Sequence, residues 1–204
     1  MKKLVIAVLA LMLFAPSAFA VGESGWGLGL KLGYGENDPK SMKDGNGPGT
    51  SLDKNGAYAS IEGQYEWALQ DDANKLGVRF GLDSYGENEL EIYGFGKVTE
   101  NTIAFPVTVY YKWDGGVKGW SFYGGAGLTY IYTNAKYSGW GGRDDEDKSK
   151  IFPHIAGGAE YRFTDLFALG AEARYNFAAK MKKDGFVMSD RSGFGAALVG
   201  RFYF

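Results

Sequence analysis

Eight stretches of this chain alternate apolar with polar or small residues at a period of two, and no other feature narrows the fold as far. Successive side chains of a strand point to opposite faces, so such alternation marks a strand with one apolar face. The first stretch sets Trp26, Leu28, Leu30, Leu32 and Tyr34 against Gly27, Gly29, Lys31 and Gly33. The second sets Ala57, Ala59, Ile61, Tyr65 and Trp67 against Ser60, Glu62, Gln64 and Glu66. The third opposes Leu76, Val78, Phe80 and Leu82 to Gly77, Arg79, Gly81 and Asp83. The fourth runs from Ile103 to Trp113, with Thr102, Ala104, Thr108, Tyr110 and Lys112 on its other face, and the fifth from Phe122 to Tyr132. The sixth has Ile155, Ala159, Tyr161 and Phe163 opposite His154, Gly158, Glu160 and Arg162. In the seventh, Phe167 to Phe177 face away from Gly170, Glu172 and Arg174; in the last, Phe194, Ala196, Leu198, Phe202 and Phe204 face away from Ala197, Val199, Arg201 and Tyr203.

The connections alternate as well. Residues 36–55, about 86–101, 134–150 and 178–191 are long and polar, whereas 70–74, 114–119 and 164–165 read as tight turns. Eight strands joined alternately by long and short connections make one up-and-down meander with both ends on the short-turn side. No linker or second domain fits between them.

Residues 1–20 stand outside this pattern. Lys2 and Lys3, the apolar run Leu4 to Phe14, and Ala18-Phe19-Ala20 form the basic, apolar and small-residue regions of a secretory signal peptide. The expected division is a signal peptide over 1–20 and one β domain over 21–204. Without Lys2 and Lys3 the 22 basic residues become 20 against 24 acidic ones, too mild an imbalance to point to nucleic acid. The lack of Cys excludes a disulfide scaffold and a thiolate zinc site. His154 is the one histidine, which excludes a His-rich metal site, and no cofactor is expected.

Alternation alone leaves open which face is inside. A soluble barrel buries the apolar face, whereas a membrane barrel turns it to lipid and keeps the polar face in its lumen. Three features favour the membrane barrel. The polar face is full of Gly and Ala, which a solvated face has no use for, but which relieve crowding inside an eight-stranded barrel. The apolar faces end in aromatics such as Trp26, Tyr34, Trp67, Trp113, Tyr130 and Phe177, as two interfacial girdles would. No outward position carries a formal charge, which at mid-membrane costs about 2–4 kcal/mol for Lys or Arg.

These residues resemble a family. Phe105-Pro106-Val107-Thr108-Val109-Tyr110-Tyr111, Phe122-Tyr123-Gly124-Gly125-Ala126-Gly127-Leu128, Gly157-Gly158-Ala159-Glu160-Tyr161-Arg162-Phe163 and Gly200-Arg201-Phe202-Tyr203-Phe204 are similar to the small eight-stranded outer-membrane barrels of Gram-negative bacteria. That group includes the opacity proteins, OmpW and the OmpA barrel. The resemblance implies an all-β, antiparallel transmembrane barrel in the bacterial outer membrane, among lipid and lipopolysaccharide. It also implies that Phe202 and Phe204 form the terminal signal read by the barrel-assembly machinery.

Parity puts Lys31, Arg79, Lys112, Arg162, Arg174 and Arg201 in the lumen with Glu62, Glu66, Asp83, Glu160 and Glu172. Near-balanced charge suggests a paired network, since an unpaired buried ion costs several kcal/mol. Such a network either fills and rigidifies the barrel or, as the resemblance to the OmpA barrel suggests, gates a narrow porin-like path. Transport of small apolar compounds, as in OmpW-like members, is a further alternative that the charged lumen disfavours. Pro106 and Gly124-Gly125 are candidates for local loosening of the strands. His154 has no Ser two residues on and shares the lumen parity of Glu160, so it reads as a structural His near the outer rim bonded to a neighbouring strand, and no enzyme is expected. Gly94-Phe95-Gly96-Lys97 reads as a hairpin, because no helix follows it.

Function then falls to the long connections, where contact with the outside must occur. Arg143 to Asp147 reads as a loosely ordered acidic loop; Lys180, Lys182 and Lys183 are placed to meet lipopolysaccharide phosphates, and Trp140 and Phe186 are candidate adhesive contacts. The expected role is non-enzymatic: a monomeric barrel supporting envelope integrity, with loops available to host or phage ligands.

Overall fold

A computed structural model describes residues 24–35, 50–52, 56–69, 73–92, 96–139, 142–177, 179–183 and 186–204. Residues 1–20, expected from the sequence to be a signal peptide, and Trp140 lie outside these residues. The strands are β1 (Gly25–Gly35), β2 (Thr50–Leu52), β3 (Ala57–Ala68), β4 (Asn74–Tyr85), β5 (Asn88–Ile92) and β6 (Gly96–Trp113). They continue as β7 (Trp120–Gly139), β8 (Gly142–Arg162), β9 (Phe167–Asn176), β10 (Lys180–Lys183), β11 (Phe186–Asp190) and β12 (Gly193–Tyr203).

Eight of these, β1, β3, β4, β6, β7, β8, β9 and β12, pair antiparallel with their neighbours, and the β6–β7 and β1–β12 pairings close the ring. The register can be followed once around the wall, through Tyr132, Ile103, Ser84, Ala59, Leu32, Leu198, Ala171 and Ala159 back to β7 at Phe122. The path returns ten residues below its start, so the barrel has a shear of ten. Ten steps of about 3.3 Å against eight strand spacings of about 4.8 Å tilt the strands by about 40°.

The period of two sorts the side chains as the sequence suggests. Leu32, Leu198, Val109, Phe122 and Ile151 stand outward and exposed, while charged and hydroxyl side chains lie buried inside. Inward glycines make room for large lumen groups on the adjacent strand. A Cβ at Gly77 would lie 2.4 Å from the Tyr110 ring, and one at Gly33 would lie 2.6 Å from that of Tyr58. The fold therefore explains why Gly is concentrated on the polar face: the cross-strand partners fill the space a side chain would take.

Two readings of the sequence need correction. The polar stretches 86–101 and 134–150 are largely strand: β7 and β8 stay paired to Gly139↔Gly142, and β6 begins at Gly96 beside β5. The acidic run is part of β8, with Asp145 opposite Lys136 and Asp147 opposite Asn134, whose amide donates to Asp147 at 2.6 Å. Backbone pairing holds these segments extended with no apolar face to mark them. Pro106 does interrupt the wall on one side: the β4–β6 pairing skips Gly81 and Leu82, opposite Pro106 and Phe105, and resumes in the same register from Phe80↔Val107 to Asp83↔Ala104. The β6 ladder to β7 runs unbroken through Pro106↔Thr129. At Gly124 and Gly125 the expected loosening is absent, since both sit in unbroken pairing with Tyr111 and Tyr110.

Candidate functional site: the charged lumen and its two ends

The lumen is built from inward positions of all eight barrel strands. At mid-height Lys31 on β1 meets Glu62 at 2.5 Å and Glu172 at 2.6 Å, and Arg79 on β4 reaches Glu172 at 2.6 Å. The Arg79 guanidinium lies between the rings of Tyr110 and Tyr123, 4.6 and 4.8 Å from their centroids. Arg201 on β12 spans three strands: it donates to Glu62 at 3.0 Å, to the Tyr123 hydroxyl at 3.0 Å and to Glu160. Its side chain is 2% exposed.

Toward the short-turn end Lys112 pairs with Glu160 at 2.6 Å and Glu66 at 3.2 Å, while the Tyr203 hydroxyl donates to Glu160. Arg162 lies over the Tyr203 ring and 3.3 Å from Asp114. Toward the other end Arg174 pairs with Asp83 at 2.7 Å and donates to the Tyr85 hydroxyl at 3.1 Å. All eleven charged residues expected in the lumen are buried there, each within 4 Å of an opposite charge. His154 is buried between two threonines, 2.8 Å from Thr108 Oγ1 and 2.9 Å from Thr129 Oγ1, so both ring nitrogens meet hydroxyls.

The sequence reading missed three buried charges. Lys75 shares the inward parity of Gly77 and Arg79, so periodicity carried one step further would have found it. Asp114 lies in a tight turn and folds under the barrel, 2.8 Å from Lys75. Arg191 lies in a long connection without periodicity. It is 2% exposed, stacks on the Tyr85 ring at 4.1 Å and lies 3.7 Å from Glu100.

Burial pushes the Asp114 carboxyl up, but Lys112, Arg162 and Lys75 outweigh it and hold the group down at about 2. Its folded value lies below the unfolded one, so its contribution to stability is complete above about pH 4 and is lost as pH falls toward 2. Asp114→Asn is expected to flatten the pH dependence of unfolding in that window. Identical profiles for the variant and the parent between pH 4 and 2 would disprove this.

Toward the outer mouth lies a different kind of layer. Ala104, Ile131 and Phe152 point inward above the charged network, and Ala179 packs on them. Arg191 ties the segment down, its N–H donating to the Ala179 carbonyl and its own carbonyl accepting from the Asn176 amide. At the other end of the chain Phe202 packs its ring 5.2 Å from Phe167 on the lipid face, and the Phe204 N–H donates to the Trp26 carbonyl at 2.9 Å.

A closed antiparallel barrel with an apolar outer belt, aromatic girdles and a charge-filled interior is the architecture of a bacterial outer-membrane protein. The chain matches the outer membrane protein beta-barrel domain over residues 6–202 and belongs to that family. Among solved structures it is similar to Ail, the attachment invasion locus protein of Yersinia pestis, at 19% identity and a TM-score of 0.53, covering 89% of this chain and 97% of Ail. Ail is also known in complex with the heparin analogue sucrose octasulfate. Neisserial surface protein A (NspA) aligns at 14% identity and a TM-score of 0.51, covering 88% of this chain and 97% of NspA. No curated protein matches the chain.

Proposed function

We propose that this protein is a closed, non-enzymatic outer-membrane barrel that supports the envelope and makes contacts at the cell surface through its outer strands. The observation that carries the reading is the contrast between its two parts. Mutual ion pairs and an apolar layer fill the lumen, while β6, β7 and β8 continue as paired strands well beyond Tyr130 and Tyr132 of the outer girdle. A filled lumen suits a scaffold, and a paired, projecting hairpin suits contact. Ail, the attachment invasion locus protein, shares the fold, and its complex with a sulfated sugar makes heparin a reasonable first probe. Phe202 and Phe204 serve in this reading as the assembly signal.

The test replaces Ala135–Glu146 with Asn-Gly, a two-residue turn suited to the paired Asn134 and Asp147. Cells displaying the intact chain are expected to adhere to heparin-coated surfaces, and cells displaying the shortened chain are expected to fall to background with the barrel still folded. Equal adhesion by the two would refute the contact role. The lumen is tested separately. Planar bilayers holding the intact protein, or a Glu160→Gln variant, are expected to stay electrically silent because the Phe152 layer remains shut. Steady conductance steps that change in the variant would make it a gated pore instead.

A further inference from the structure

A groove of about 500 Å³ crosses the lipid-facing wall, and nothing in the lumen or the outer hairpins uses it. Its lower wall is one register row, Gly200–Leu30–Ile61–Leu82, and its upper wall the next, Leu198–Leu32–Ala59–Ser84. Between the rows the floor is the backbone of Val199, Lys31 and Ser60, whose side chains point inward. Ala59, Ser84 and Gly200 leave the groove open, while Leu32 and Leu198 stand 71% and 67% exposed beside it.

The groove lies within the membrane belt, since Trp26 and Tyr34 bracket Leu30 and Leu32 along β1. It is continuous with the lipid-facing surface, and its lining is almost wholly apolar, so water has too few polar partners to fill it. A void left there would forfeit the contacts of its walls. The shape selects one occupant. Four strand spacings from β4 to β9 make it about 19 Å long. The shear inclines it about 40° to the membrane plane, higher at Ser84 and lower at Leu169, so it descends about 12 Å, close to one leaflet of a core about 30 Å thick. A thin flexible chain matches that path, and the rounded wall of a second barrel does not.

We propose that this groove is a binding site for one acyl chain of an outer-leaflet lipid, entering near Ser84 and running down toward Gly200. The chain is held by contact along its length, and its headgroup lies at the outer interface. The site rests on the membrane orientation of the barrel and is independent of the surface role proposed above.

The test is native mass spectrometry of the intact protein in mild detergent with dimyristoyl phosphatidylglycerol as the probe. One lipid is expected to stay bound at a collision energy that strips all others. Ala59→Phe and Gly200→Leu fill the groove from opposite ends. A Cβ at Gly200 meets nothing closer than 3.8 Å, so the second change is tolerated by the wall. Each is expected to lower the retained fraction about tenfold or more, as loss of several buried methylenes requires. Ala126→Phe, at a small outward position on β7, is expected to change nothing. Equal retention in the parent and both filled variants, an equal loss in Ala126→Phe, or a protein dimer in place of the lipid adduct would each overturn the site.

Discussion

Replacing Arg201 with alanine is expected to cost about 3–5 kcal/mol of barrel stability, because it strands buried carboxylates without a partner. Arg201 holds Glu62 and Glu160 and lies 3.5 Å from Glu172, which leaves Lys31, Arg79 and Lys112 to neutralise all three. Those cations are already engaged with these same carboxylates. Arg201→Lys is not expected to rescue, since one ammonium cannot reproduce a fork that serves two carboxylates and the Tyr123 hydroxyl at once. Removing charge from both partners is a different matter. Arg201→Met with Glu160→Gln is expected to recover part of the loss, a non-additivity that a double-mutant cycle reads directly. Urea unfolding of the refolded protein, followed by tryptophan fluorescence, measures each value. A change below about 0.5 kcal/mol for Arg201→Ala would mean that the network fills space without contributing stability.

Gly77→Val is expected to be nearly as damaging for a steric reason. The new side chain would occupy the place of the Tyr110 ring, and the backbone pairing of Gly77 with Tyr110 leaves neither strand free to retreat. Overpacking of this kind costs about 1–3 kcal/mol or more. Here it would also break the hydrogen bond from Tyr110 to Glu66 and remove one wall of the Arg79 sandwich. The diagnostic measurement is the second-site change Tyr110→Ser, which makes room for the valine. The double variant is expected to refold to the compact, heat-modifiable form on gels in higher yield than Gly77→Val alone. If Gly77→Val refolds as well as the parent, the glycine is not there to accommodate the ring.

Both predictions depend on a lumen whose occupants come from distant parts of the chain. Glu172 and Lys31 are 141 residues apart, and Arg201 and Glu62 are 139 apart. Parity was enough to place all of them inside, because a period of two is a property of adjacent residues. It carried no information about partners.

The sequence by itself determined the eight membrane-spanning strand segments, the single meander, the membrane-facing side and the Gly-rich interior. Each of these follows from local alternation and from the cost of exposing charge to lipid. Only the tertiary structure decided which cation meets which carboxylate, since that depends on a shear of ten, and shear exists only once the sheet closes on itself. The same closure brought Asp114 and Arg191 to the two ends of the lumen. It also lined up Ala59, Ser84 and Gly200 along one groove from three strands. Finally it carried β7 and β8 beyond the membrane, where backbone pairing needs no apolar face and leaves no alternation to read.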